Sequence, residues 1–128
     1  MAKILLVEDD EFLSSLLYNR LKKEGYEVTL AHDGPKALES LRKSVPNLIL
    51  LDIILPGKSG FDILEEARSD PQLRNIKNVP VIIISNLGQE SDIERGRELG
   101  VVDYFVKARV SIDSLVEKIN GVVEKAND

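Results

Sequence analysis

The chain has 128 residues, 43% hydrophobic and 30% charged, which is typical of one folded domain with a packed core. It has no cysteine and a single histidine, His32, which excludes disulfides, thiolate nucleophiles and metal sites built from cysteine or from several histidines. The net charge of −5 argues against nucleic-acid binding through the overall field, and the absence of a secretory signal or an apolar run near the ~20 residues that span a bilayer predicts a cytoplasmic protein without membrane contact.

Strand and helix patterns alternate five times along the chain. The predicted strands are 3–7, 27–31, 47–51, 80–84 and 103–106, and the predicted helices are 11–24, 35–44, 60–69, 89–99 and 112–126. Strands alternating with helices of this length form right-handed βαβ units, which gives a parallel sheet covered on both faces. The second strand alternates polar and apolar residues and is expected at an edge. We therefore expect one α/β domain over 1–128, although the sequence is equally compatible with a segment of a longer protein.

The helices carry local signals for their ends and their buried faces. The predicted core-facing stripe of the first helix is Leu13, Leu16, Leu17 and Leu21. Gly25 is expected to end that helix, Pro35 fits the first turn of the second, and Ser111 is expected to cap the last. Pro71 indicates that the third helix has ended before the longest connection begins.

Polar residues come where four of the predicted strands end. They are Glu8, Asp9 and Asp10 after the first strand, Asp52 after the third, Ser85 after the fourth and Lys107 after the fifth. The carboxyl ends of parallel strands meet at one edge of the sheet, where open α/β sheets bind ligands. We therefore expect these side chains to form one site.

The acids at this edge indicate a metal site. Asp9 and Asp52 would lie on neighbouring strands, and several carboxylates close together are costly without a cation. Oxygen ligands with room for water favour Mg²⁺. Alternatively, these N-terminal acids only cap the first helix and favour its positive end, which is the interpretation preferred for Asp10.

Asp52 is either a metal ligand only or a nucleophile as well. A carboxylate that attacks phosphorus forms an aspartyl-phosphate. That reaction needs positive charge and hydrogen-bond donors around the phosphoryl oxygens, which Mg²⁺, the Ser85 hydroxyl and the Lys107 ammonium would supply. Taken singly, Ser85 is an ordinary turn residue and Lys107 an ordinary solvated lysine. Each is a candidate for the site only because the other polar residues also lie at strand ends.

The order and spacing of these residues resemble those of a response-regulator receiver domain of two-component signalling, from Lys3 to about Ala126. The matching elements are Val7-Glu8-Asp9, Leu51-Asp52, Pro56-Gly57-x-x-Gly60, Ile84-Ser85 and Tyr104-x-x-Lys107. Any one of them is weak evidence, but the five together are specific. The resemblance implies a flavodoxin-like, doubly wound sheet of five parallel strands in the order 2-1-3-4-5, with five helices.

The resemblance also implies a mechanism. Asp52 would accept a phosphoryl group from a phosphohistidine on a sensor histidine kinase or a phosphotransfer protein. Asp9, Asp52 and the Ile54 backbone carbonyl would bind Mg²⁺, with Glu8 acting through water. Tyr104 would be an aromatic switch that turns inward when Ser85 moves toward the phosphoryl group. The domain would catalyse its own phosphorylation and dephosphorylation, and act on a downstream protein or output domain that the sequence does not identify.

Two residues depart from the family pattern. Ala108 follows the lysine where the family usually has proline, often after a cis peptide bond, so the loop carrying Lys107 is expected to be built differently. Asn86 follows Ser85 where the family usually has alanine or glycine, and would narrow access or add a hydrogen bond. The apolar residues Ile54 and Leu87 cannot orient an attacking water, so slow hydrolysis of the phosphorylated form is expected.

Three other functions compete with this one. A non-phosphorylated pseudo-receiver that only binds proteins would not need the complete acid, hydroxyl and lysine set. A phosphatase with an aspartate nucleophile usually has a second aspartate two residues later, where this chain has Ile54. A dinucleotide-binding domain would have a glycine-rich loop after the first strand, where this chain has Glu8-Asp9-Asp10.

Overall fold

The computed structural model describes residues 2–127, with side chains through residue 124. Its five strands are β1 (Lys3–Val7), β2 (Glu27–Ala31), β3 (Leu48–Leu51), β4 (Val81–Ser85) and β5 (Asp103–Val106). The five longer helices are α1 (Glu11–Lys23), α2 (Gly34–Lys43), α3 (Gly60–Ser69), α4 (Glu90–Glu98) and α5 (Ile112–Asn127). The predicted alternation is confirmed, and predicted ends that differ are displaced by one residue.

The strands form one parallel sheet in the order β2-β1-β3-β4-β5. The predicted fold class, a flavodoxin-like doubly wound sheet, is confirmed, as is the edge position of β2. Side chains alternate across the sheet. In β3, Ile49 and Leu51 pack in the cluster with α2 and α3, whereas Leu48 and Leu50 pack in the cluster with α1 and α5. Both faces of the central strands are therefore buried.

Residues predicted to mark the ends of helices lie at those ends in the structure. Gly25 follows α1 with a φ of +96°, a conformation that glycine adopts without the steric cost of a side chain. The Ser111 hydroxyl accepts a hydrogen bond from the Ser114 N–H (3.1 Å) at the start of α5. Pro71 lies beyond the end of α3, as predicted.

The predicted core-facing stripe of α1 was wrong at Leu16. Leu17 and Leu21 are fully buried, and Leu13 packs partly against the same cluster, but Leu16 is 42% exposed. Positions 13, 17 and 21 repeat every four residues and lie on the face that meets the sheet. Leu16 falls beside that row, where nothing in the described part of the chain buries it fully.

The connection between α3 and β4 contains a short 3₁₀ helix, Pro71–Ile76, that the sequence patterns did not predict. Leu73 and Ile76 are buried in the cluster with α2 and α3, so this connection, which leads into the start of β4, forms part of the core. Within residues 2–127, no helix is both long and apolar enough to cross a membrane.

Candidate functional site

The candidate site lies at the carboxyl ends of the strands, where hydrogen bonding continues past the strands themselves. The Asp52 N–H donates to the Val7 carbonyl (2.9 Å), and the Glu8 N–H donates to the Ala31 carbonyl (3.0 Å). Both acids are buried, with 0% exposure for Glu8 and 2% for Asp52. The sheet itself therefore fixes the backbones of these two acids.

Three carboxylates converge at this edge. One oxygen from each of Glu8, Asp9 and Asp52 lies within 4.8 Å of the others, and Asp9 is the member exposed to solvent. Oxygen donors with one open side suit a divalent cation that keeps several waters, which is how Mg²⁺ is held in proteins. Ile54, whose carbonyl is expected to take part, lies two residues beyond Asp52 and donates its N–H to Asp52 Oδ1 (3.2 Å).

Lys107 reaches into the acid cluster from the opposite side of the site. Its Nζ donates to Asp52 Oδ2 (2.9 Å) and lies 2.7 Å from Glu8 Oε1, in an ion pair whose geometry is not that of a hydrogen bond. Burial alone lowers the pKa of Lys107, but its contacts with the negatively charged carboxylates of Glu8 and Asp52 raise it overall. The lysine therefore stays charged at neutral pH.

The Glu8 carboxyl has an unusual proton affinity. Burial, followed by its hydrogen bond with Asp52, raises the pKa of Glu8 from the ordinary 4.5 to about 7, against the opposing influence of Lys107. One ammonium does not compensate three neighbouring carboxylates. The excess negative charge is a physical reason for this donor set to bind a cation.

Ser85 and Tyr104 form the other side of the site. Ser85 is fully buried at the end of β4, and its Oγ accepts from the Leu87 N–H (3.3 Å). The Tyr104 hydroxyl donates to the Leu87 carbonyl (2.6 Å), which places the phenol beneath the β4–α4 loop. Burial, followed by the charge of Asp92, raises the pKa of Tyr104 to about 12. The aromatic side chain is thus linked to the segment that carries Ser85.

Two glycines shape the chain after Asp52. Gly57 has a φ of +80° in the turn. A Cβ at Gly60 would lie 2.2 Å from the Asp52 carbonyl oxygen, so a side chain there would displace either α3 or the strand end. The Gly60 N–H donates to the Ile53 carbonyl (2.8 Å), which closes the turn around the site.

The two departures from the family pattern occupy exposed positions. Ala108 lies in a 3₁₀ turn, Lys107–Arg109, and the peptide bond that precedes it is trans. Asn86 is exposed beyond the end of β4. The ammonium of Lys107 reaches Asp52 without a proline behind it.

The sequence did not predict the contact made by His32. The side chain is exposed, but its Nδ1 lies 3.0 Å from the Glu8 carbonyl oxygen. His32 directly follows β2, so its place at the carboxyl end of a strand was the available signal.

Comparisons with known proteins show the family to which the chain belongs. The model of the response regulator receiver domain family matches residues 4–120. The sensory transduction protein RegX3 of Mycolicibacterium smegmatis is 39% identical over 128 residues, which are all of this chain and 53% of the relative. The transcriptional regulatory protein CpxR of Klebsiella pneumoniae is 42% identical over 127 residues, 99% of this chain and 51% of the relative. The chain thus spans about half the length of these curated relatives.

Solved structures show the same fold. A CheY-like response regulator receiver domain protein from Methanospirillum hungatei superposes with a TM-score of 0.88 at 28% identity, covering 99% of this chain and 97% of that one. The Francisella response regulator 1452 receiver domain gives 0.86 at 29% identity, covering 98% of both chains. With the family model matched over most of its length, the chain belongs to the response regulator receiver family and is a receiver domain of two-component signalling.

Proposed function

We propose that Asp52 accepts a phosphoryl group from a phosphohistidine on a sensor histidine kinase or a phosphotransfer protein, in a reaction that requires Mg²⁺. Asp9, Asp52 and the Ile54 carbonyl would hold the ion, with Glu8 acting through water. The observation that carries the proposal is the contact of Lys107 Nζ with Asp52 Oδ2 (2.9 Å) in a cluster that includes Asp9. The carboxylate nucleophile, the lysine ammonium and further oxygen ligands thus lie together at one edge of the sheet.

The chemistry is an in-line displacement at phosphorus. A carboxylate oxygen of Asp52 forms the new P–O bond as the P–N bond of the donor breaks. The electron pair of that bond stays on the imidazole nitrogen, which is then protonated by solvent. A Mg²⁺ ion held by Asp9, Asp52 and the Ile54 carbonyl would supply positive charge to the phosphoryl group. Lys107 donates to one phosphoryl oxygen and the Ser85 hydroxyl to another.

Lys107 is prepared for this role by its surroundings. It is ionised, its side chain is only 17% exposed, and it already touches the nucleophile. As the phosphoryl group arrives, Lys107 exchanges its contact with Asp52 for a phosphoryl oxygen and so remains paired with negative charge. The carboxylate of Glu8 is buried and lies 2.7 Å from Lys107 Nζ, so Glu8 also pairs with the lysine.

Phosphorylation would alter the face formed by α4, β5 and α5. Movement of Ser85 toward the phosphoryl group would break its hydrogen bond with the Leu87 N–H, and Tyr104 holds the carbonyl of that same residue. The Tyr104 ring lies against Gly96 of α4, since a Cβ at Gly96 would be 3.2 Å from Tyr104 Cδ2. The β4–α4 loop, α4 and β5 would therefore move as one coupled unit. A downstream protein or output domain would bind this face.

The test uses phosphoramidate, a small donor with the same P–N bond as phosphohistidine. Wild type incubated with phosphoramidate and Mg²⁺ should gain the mass of one phosphoryl group, and chelation of the metal should prevent the gain. Asp52→Asn should remove it. Asp62→Asn is the matched control, because Asp62 is a surface aspartate of α3 whose side chain is 51% exposed.

Two outcomes would contradict the proposal. Absence of any mass gain in wild type would favour the pseudo-receiver, which binds proteins without being phosphorylated. A gain that persists in Asp52→Asn would place the phosphoryl group on another residue.

A further inference from the structure

We propose that His32 is a positioning residue for the metal-binding acids, acting through the Glu8 carbonyl on the direction of the Asp9 carboxylate. The inference rests on the proposed function, since it concerns the same Mg²⁺ site. Its basis is the 3.0 Å contact between His32 Nδ1 and the Glu8 backbone oxygen.

The direction of this hydrogen bond follows from the chemistry of its two partners. A carbonyl oxygen can only accept, so Nδ1 must carry the hydrogen and donate it. The carbonyl belongs to the peptide group that joins Glu8 to Asp9, so the imidazole fixes the plane from which the Asp9 side chain departs.

Asp9 depends on its backbone for orientation. Its side chain is exposed, so packing does not fix its carboxylate. The peptide group that joins Glu8 to Asp9 is held by His32 on the Glu8 carbonyl, and the peptide group before it by the Glu8 N–H on the Ala31 carbonyl. The following N–H, that of Asp10, donates to Glu8 Oε2 (3.3 Å). Within this set, His32 supplies the contact made by a side chain from a neighbouring strand end.

His32 has no other evident task in the described part of the chain. The adjacent Asp33 caps α2 by accepting from the Lys36 N–H (2.9 Å), and that cap does not involve the imidazole. An exposed side chain that neither packs in a core cluster nor caps a helix contributes little to folding. Loss of its hydrogen bond should therefore be felt in metal binding and hardly at all in stability.

The experiment compares two substitutions of similar size. His32→Asn places an N–H donor at the distance of Nδ1 from the backbone, whereas His32→Leu places a methyl group there. Calorimetric titration with Mg²⁺ should show roughly 3- to 10-fold weaker binding for His32→Leu, the ratio expected for one hydrogen bond. His32→Asn should restore most of the affinity. Thr29→Leu, an exposed substitution on β2, the strand that precedes His32, should bind Mg²⁺ like wild type.

A second measurement distinguishes an effect of His32 on Mg²⁺ binding from an effect on the stability of the loop. The Mg²⁺ concentration that half-saturates phosphorylation by phosphoramidate should rise for His32→Leu by the same factor, while the rate at saturating Mg²⁺ stays that of wild type. A lower melting temperature without metal, combined with unchanged Mg²⁺ affinity, would show a merely structural role and overturn the inference. If His32→Leu does not fold, His32→Ala is measured in its place.

The two proposals fail in different ways. If wild type binds no Mg²⁺, both the proposed function and the role of His32 are wrong. If wild type binds Mg²⁺ and His32→Leu binds it equally well, the role of His32 alone is wrong.

Discussion

The site has two halves that differ in how firmly the fold holds them. The acid half comes from the ends of β1 and β3, where every residue of β3 is buried and Asp52 continues the hydrogen-bond ladder. The responding half comes from β4, which is as fully buried as β3, and from β5 and the loop between β4 and α4, and every residue of β5 is only half-buried. Tyr104 is held there through the loop carbonyl of Leu87. In the proposed function, phosphoryl transfer would take place on the buried strand ends of the acid half, while the signal would pass through the half-buried β5 and the loop that contacts it.

The largest expected effect is a difference in stability between β3 of the acid half and β5 of the responding half. Leu50 of β3 is 0% exposed, and Leu50→Ala should lower the free energy of unfolding by roughly 2–5 kcal/mol through lost burial and a cavity. Val106→Ala on half-buried β5 should cost only about 1 kcal/mol. Urea unfolding of both variants gives the comparison. Equal losses would show that β5 is as firmly packed as β3.

The pH dependence of stability tests the acid half. The pKa of Glu8 is about 7 in the folded protein and 4.5 for an ordinary carboxyl, so folding takes up a proton between these values. The stabilisation is complete below pH 4.5 and is lost as the pH rises through about 7, by roughly 1–3 kcal/mol. Urea midpoints without Mg²⁺ should fall over this interval in wild type. Glu8→Gln should flatten the curve, and an unchanged slope in that variant would assign the dependence to another group.

Amide exchange compares the two halves directly. Addition of Mg²⁺ and beryllofluoride, a phosphoryl mimic, should change exchange most in 85–107, by roughly 5- to 10-fold, because local opening of a half-buried strand and its loop costs little. The buried strand 48–51 should change less. Asp52→Asn is the control, in which the mimic should have no effect. Changes confined to α2 would contradict the output face proposed here.

Removal of one charge from the acid half should stabilise the metal-free protein. Asp9 lies within the cluster whose carboxylate oxygens are within 4.8 Å of one another, so Asp9→Asn relieves repulsion. At pH 8 without Mg²⁺, the gain should be roughly 0.5–1 kcal/mol, which raises the melting temperature by a few degrees. Calorimetric titration should show loss of Mg²⁺ binding. A lower melting temperature would reveal a structural role for Asp9.

The smallest expected effect concerns hydrolysis of the aspartyl-phosphate. It involves one residue from each half of the site. Ile54 is 50% exposed beside Asp52, and Leu87 packs partly against the core beyond Ser85. Neither can hydrogen-bond to an attacking water, so the phosphorylated form should be long-lived. Ile54→Asn and Leu87→Glu should each speed decay roughly 3-fold, or about 0.6 kcal/mol, by orienting that water.

The measurement is the decay of the aspartyl-phosphate in wild type, the two single variants and the double variant, each at saturating Mg²⁺. Decay that is unchanged or slower in the double variant would mean that hydrolysis does not depend on water orientation by these two positions. An acceleration confined to one single variant would assign the water to that half of the site.

Much of the fold was accessible from the sequence because its signals are local. Buried strands such as 48–51 are continuous apolar runs, and residues such as Gly25 and Ser111 mark the ends of helices through short-range backbone chemistry. The resemblance to the receiver family then added the strand order. The face of α1 was less certain, since helical spacing admits both Leu16 and Leu13 to a stripe and only packing against the sheet selects between them.

The composition of the site was also predictable, whereas its contacts were not. Polar residues at strand ends can be counted in the sequence, because parallel strands bring their carboxyl ends to one edge. Distances such as that from Lys107 to Glu8, and the raised pKa that follows from burial of Glu8, depend on how closely separate elements pack. The bond from His32 to the Glu8 carbonyl joins residues 24 positions apart, at the edge of the sheet. No local pattern encodes such a contact, and only the tertiary structure decides it.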